Sequence, residues 1–78
     1  MQKSNIEEVI VQNTVALRKK RKKTQRDIAN VLNVTAGYIG QVESLKSPSM
    51  YSYDQLNELA KFFECSPKDF MPERAIEE

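Results

Sequence analysis

The side chains that usually do covalent chemistry are nearly absent from this chain. Its 78 residues include no histidine and one cysteine, Cys65. That removes the usual Ser–His and Cys–His pairs and puts a closed zinc site out of reach. Carboxylates and hydroxyls are present, but no constellation joining a general base to an activated nucleophile is legible. No enzyme activity, metal or cofactor is expected. The lone cysteine also excludes an internal disulfide, which suits a reducing compartment. What the chain does have is unevenly placed charge. The net charge is only +1, yet residues 1–50 carry nine Lys/Arg against four Asp/Glu, and residues 51–78 carry three against seven. A basic half joined to an acidic half suggests one face for an anionic partner and another turned away from it. The densest basic run is RKKRKK, Arg18 to Lys23. It reads either as a solvated helix end, favoured by the helix dipole, or as a phosphate contact.

The elements that would position this charge are helical. Ser4-Asn5-Ile6-Glu7 has the form of a capping box, and Asn5 with Glu8 offers a second register, so a first helix is predicted from there to about Arg21. Its inner stripe is predicted as Ile6, Ile10, Asn13 and Leu17, with Val9 and Ala16 beside it. Val11 and Val15 lie on another flank, as scattered surface apolars or as a partner-facing patch. Within TQRDIANVLNVTAGYIGQVE, Thr24 to Glu43, Ile28, Ala29 and Leu32 share one face of helix 2, predicted from about Gln25 to Leu32, and Ile39 and Val42 one face of helix 3, predicted from Ala36 to about Ser44. Val34 plugs the space between them. A join of about 3–4 residues makes the corner tight. Small Ala29 lets the second helix pass close, and Asn33 is one of the few non-glycine types that visit left-handed backbone angles. Thr24 and Thr35 are the expected caps. LKSPSMYS, Leu45 to Ser52, reads as a loop. Ser52-Tyr53-Asp54-Gln55 opens a fourth helix with Tyr53, Leu56, Leu59, Ala60 and Phe63 facing inward. Ser66-Pro67-Lys68-Asp69 opens a short fifth helix anchored by Phe70, and residues 72–78 form an acidic tail. The expected architecture is all-α, a compact five-helix bundle forming a single domain over residues 1–78. No stretch approaches the roughly 20 apolar residues of a membrane span, and MQKSNIEEVI lacks a secretory pattern, so a cytoplasmic protein is expected.

Residues 24–43 resemble the DNA-binding helix-turn-helix of the Cro/phage-repressor family, also called the xenobiotic-response-element family. With Gln25 as the motif's first position, Ile28, Leu32, Val34, Ile39 and Val42 fill the family's apolar positions. Ala29 is its small residue, and Asn33 stands at its usual corner glycine. Thr24-Gln25 and Val42-Glu43 match as well. The resemblance covers roughly residues 6–71 and implies the same five-helix fold. The chain departs from the family at Lys22 and Lys23, where glycine and then an apolar residue are common.

The resemblance assigns roles by position. Helix 3 becomes the recognition helix, with Ala36, Gly37, Tyr38, Gly40 and Gln41 toward the bases. Gln41 can bond adenine N6 and N7, and Ala36 can touch a thymine methyl. Gln41 could equally be an ordinary exposed residue, and Tyr38 could pack against helix 2. No arginine stands in helix 3, so the commonest contact to guanine is missing. Gly37 and Gly40 are the chain's only glycines. They read either as drift at exposed sites or as a bare surface that would let the helix lie closer to the groove floor. Thr24, Gln25, Arg26 and Thr35 are expected at phosphates near helix N-termini, with Lys46, Ser47 and Ser49 on the following loop. Arg18 and Glu43 take the family positions of an internal salt bridge. Cys65 falls at a small apolar position, as a buried thiol in preference to a redox sensor. The function implied is a sequence-specific transcriptional regulator, a repressor, binding double-stranded DNA as a homodimer without a small-molecule ligand. Phe62, Phe70 and Met71 are candidate dimer surface. The alternative is a protein-interaction module on the same fold, an antitoxin or coactivator-like adaptor.

Overall fold

A computed structural model describes residues 2–77. Four α-helices follow in order: α1 (Asn5–Lys20), α2 (Gln25–Leu32), α3 (Ala36–Glu43) and α4 (Tyr53–Phe63). The expected fifth helix is a single 3-10 turn, Pro67–Phe70. Ser66 caps it and Pro72 follows closely, so there is no room for a longer helix. α2 packs on α3 and α4, while α1 packs on α3 and the turn. One core joins them, built from Ile10, Val11, Ile28, Ala29, Ile39, Val42, Tyr51, Leu56, Leu59, Ala60, Phe63 and Phe70. No helix among the described residues is long and apolar enough to cross a membrane.

The start of each helix is written locally. Ser4, Thr24 and Ser52 accept from the third helical N–H, and Glu7, Asp27 and Gln55 return to the cap's own N–H. At Asp27 that returned bond is also the main reason its carboxyl titrates below the usual range. Thr35 caps α3 by accepting from Tyr38 N–H at 3.1 Å.

Three helices also end alike. Lys22, Asn33 and Glu64 sit at φ 58°, 56° and 57°, in the left-handed region. The next N–H turns back in each case: Lys23 to Arg18 O, Val34 to Ala29 O, Cys65 to Ala60 O. This closing motif favours glycine, which has no Cβ to clash. Lys22 therefore keeps the conformation of the family's glycine without the residue. Its neighbour Lys23, at the family's apolar position, holds its ammonium 5.7 Å from the Phe62 ring centroid. Glu64→Gly is expected to raise unfolding free energy by about 0.5–1 kcal/mol by relieving this strain. A urea titration showing no gain would mean that Glu64 is not strained.

The inner face of α1 differs from the expectation. Val11 is fully buried, at 0 % exposure, whereas Ile6 is 45 % exposed. Val9, Ile10 and Val11 are consecutive and span about 200° of the helix, so periodicity alone allows more than one inward direction. Packing selects the side of Ile10, Val11 and Thr14. The buried Thr14 hydroxyl is satisfied by donating to Val11 O at 2.7 Å. Asn13 Nδ2 donates to Phe70 O at 2.9 Å and ties α1 to the turn. Tyr53, expected inside, is 86 % exposed. It opens α4, where side chains lean back past the helix end, and the buried aromatic on this side is Tyr51 from the preceding loop.

Candidate nucleic-acid interface

The interface can be built outward from Glu43, the last residue of α3. Arg18 comes from α1 and meets it with a planar two-bond fork. Its Nε donates to Oε2 at 2.9 Å and its Nη2 to Oε1 at 2.8 Å. The side chains are only 12 % and 10 % exposed, so water screens the pair little. Arg18 Nη1 also donates to Lys23 O at 3.0 Å, pinning the end of the basic run. A third donor reaches the same carboxylate: Gln25 Nε2, from the start of α2, lies 2.9 Å from Glu43 Oε1. One carboxylate thus joins α1, α2 and α3. Tyr51 lies in the core nearby. Burial pushes its phenol well above the ordinary value, and the Glu43 charge adds to the rise, so it stays neutral.

This network orients Gln25. With one amide hydrogen on Glu43, the second remains for another acceptor. Its Oε1 is 3.7 Å from where a Cβ on Gly40 would stand, and Gly37 has only Thr35 Oγ1, at 3.9 Å, near its own missing Cβ. Neither glycine has positive φ, so the backbone does not require glycine at either site. Around them, Thr24, Arg26, Thr35, Gly37, Gln41 and Lys46 are exposed, and Gln25, Ala36, Gly40, Ser47 and Ser49 are half-buried. Ser47 Oγ accepts from Ser49 N–H at 3.2 Å, which leaves the Ser47 hydroxyl hydrogen able to point outward.

Tyr38 departs from its expected place at the bases. Its hydroxyl donates to Met50 O at 2.7 Å and lies 3.3 Å from Gln55 Oε1. The side chain braces α3 against the loop and α4 rather than against α2. Phe70 also departs from its expected surface role: at 1 % exposure its ring is core, which leaves Phe62 and Met71 nearer the surface. Cys65 is half-buried, and burial raises its thiol pKa, so the thiolate is disfavoured. No cluster of His, Cys, Asp or Glu suited to a metal occurs among the described residues.

Three features were not found by reading the sequence: the Gln25–Glu43 bond, the burial of Tyr51, and Lys3. Lys3 is 5 % exposed, and its ammonium donates to main-chain carbonyls after α3. A lysine ahead of a capping box carries no local signal of such a role.

The Cro/repressor type of the family described as Helix-turn-helix matches residues 16–70. The chain belongs to that family of DNA-binding proteins. Comparison with curated proteins and with solved structures finds no significant match. Family membership makes DNA binding in transcription regulation the general role of the domain. In this helix-turn-helix protein, α2 and α3 are the motif's two helices. Asn33 supplies the left-handed corner, and buried Ala29 lies where the two meet.

Proposed function

We propose that this protein is a sequence-specific repressor that binds a palindromic operator as a homodimer and reads the major groove with α3. The observation that carries the reading is the arrangement around Glu43, which holds Gln25 beside the bare Gly40 surface of α3. An α-helix fits the major groove through its N-terminal part, while flanking N–H and side-chain donors take phosphates. Ala36, Gly37, Gly40 and Gln41 form the base-facing set, and Tyr38 fixes the helix behind them. Thr24, Gln25, Arg26, Thr35, Lys46, Ser47 and Ser49 form the phosphate set. Repression requires only occupancy of the operator, which a domain of this kind can provide by itself. Dimerisation supplies the discrimination that one short helix lacks, since two half-sites lie about 34 Å apart on one face of the duplex. Phe62 and Met71 are the surface apolar groups nominated for that contact.

The test is selection of bound DNA from a random duplex pool, with sedimentation run in parallel. The expected result is an inverted repeat bound by a dimer. Enrichment of no sequence, together with capture by a protein partner, would favour an adaptor instead. Within the same assay, Lys46→Ala should weaken binding about equally at all sequences and make the salt slope about one unit shallower. An unchanged slope would remove Lys46 from the phosphate set.

A further inference from the structure

Lys3 is one of two buried polar or charged residues in the described chain, and it lies outside every role assigned so far. Its Nζ donates to Ser44 O at 2.6 Å and to Ser47 O at 2.5 Å, with Gln41 O further off at 3.5 Å. An ammonium has three N–H groups and no acceptor, so only acceptors can match it, and main-chain carbonyls supply them here. These carbonyls belong to the end of α3 and the turn that follows. Ser44 O also accepts from Ser47 N–H at 3.2 Å, so the carbonyl that closes the turn is held by Lys3 as well. Leu45 and Lys46 stand at the two corners of that turn, both exposed. The other bonds within the loop are long: Lys46 N–H to Ser44 Oγ at 3.4 Å and Ser49 N–H to Ser47 Oγ at 3.2 Å.

Two features separate this arrangement from a mere plug. α3 has no basic residue in its last turn, so Lys3 supplies from a distant part of the chain the cation that a helix C-terminus favours. Burying the ammonium is also unfavourable: burial lowers its pKa, with Glu7 and Glu8 opposing. An apolar side chain would fill the same space without that cost. The ammonium adds directionality, because it draws two carbonyls of one turn to a single point.

We propose that Lys3 is a positioning residue of the DNA interface. Its buried ammonium fixes the turn 44–47 so that Lys46 and the neighbouring serine hydroxyls meet phosphates in register. This rests on the reading that the loop touches phosphate, and the experiment separates the two. Wild type, Lys3→Met, Lys46→Ala and the double variant are titrated with a short random-sequence duplex over a salt series, at a temperature where all are folded. Amide exchange is followed on the free proteins. In Lys3→Met the Ser47 amide should lose protection while Ile39 and Val42 keep theirs. Affinity should fall about three- to tenfold and the salt slope should become about one unit shallower. Lys46→Ala should then add little, because an unregistered lysine has little left to lose. Lys3→Arg, which retains a cation, should recover part of the affinity. Equal effects of Lys46→Ala in both backgrounds, or an unchanged slope in Lys3→Met, would overturn the positioning role. If Lys46→Ala leaves the wild-type slope unchanged, the phosphate reading of the loop fails, and the role of Lys3 fails with it. Should Lys3→Met prove too unstable, Lys3→Gln keeps a donor without the charge, and the same outcomes decide.

Discussion

Glu43→Gln should lower the free energy of unfolding by about 3 kcal/mol, the cost of stranding a buried charge. Glu43 accepts three N–H bonds, two from Arg18 and one from Gln25. The substitution keeps the shape but removes the negative charge and turns half of the acceptor into a donor. Arg18 would then hold its guanidinium at 12 % exposure without a counter-ion. Removing both charges together, as Arg18→Met with Glu43→Leu, should cost less than Glu43→Gln alone, because no charge is left unpaired. Urea unfolding of the three variants measures this directly. A loss of only a few tenths for Glu43→Gln would mean that water screens the pair. DNA affinity should fall further than stability explains, since Gln25 loses the partner that orients it.

The second large effect is expected on α1. Val11→Asp should cost about 4 kcal/mol or more, because it places an unpaired carboxylate where exposure is 0 %. A chain of this length has a total stability of about 4–12 kcal/mol, so the substitution removes a third or more of it, and at the low end of that range much of the population should unfold. The deficit should shrink in acid. Burial raises the new carboxyl's folded pKa above its unfolded value, so the folded state is relatively favoured below the unfolded pKa and loses ground as pH rises. Ile6→Asp is the control. Ile6 is 45 % exposed in the first turn of α1, where a negative charge suits the helix dipole, and a change within about 0.5 kcal/mol is expected. Circular dichroism melts over a pH series read both variants. If Ile6→Asp were the more damaging, the inner face of α1 would be on the other side.

The contrast between those two positions shows where the sequence is legible. In α2, α3 and α4, Ile28, Ala29, Ile39, Val42, Leu56, Leu59, Ala60 and Phe63 are in the core as their spacing predicts, while Tyr53 at the start of α4 is not. α1 has apolar residues on several sides, so spacing could not select among them. The fifth helix was expected from its Ser-Pro start and Phe70 anchor. Both are present, but the segment closes only one 3-10 turn.

The sequence by itself determined what is decided over three or four residues. Capping boxes at Ser4, Thr24 and Ser52 are local hydrogen-bond patterns, and the left-handed corner at Asn33 is a local backbone preference. Family positions added Arg18 and Glu43, which stand 25 residues apart and which no local pattern would pair. Tertiary structure alone decided the rest. It brought Gln25 to Glu43, turned the Tyr38 hydroxyl to Met50, buried Tyr51, and carried Lys3 to carbonyls 41 and 44 residues away. The physical reason is the same in each case. A buried polar group takes whichever partner the packing of separate elements brings within reach, and a buried ring takes whatever space they leave. Neither distance is encoded in the residues that flank it.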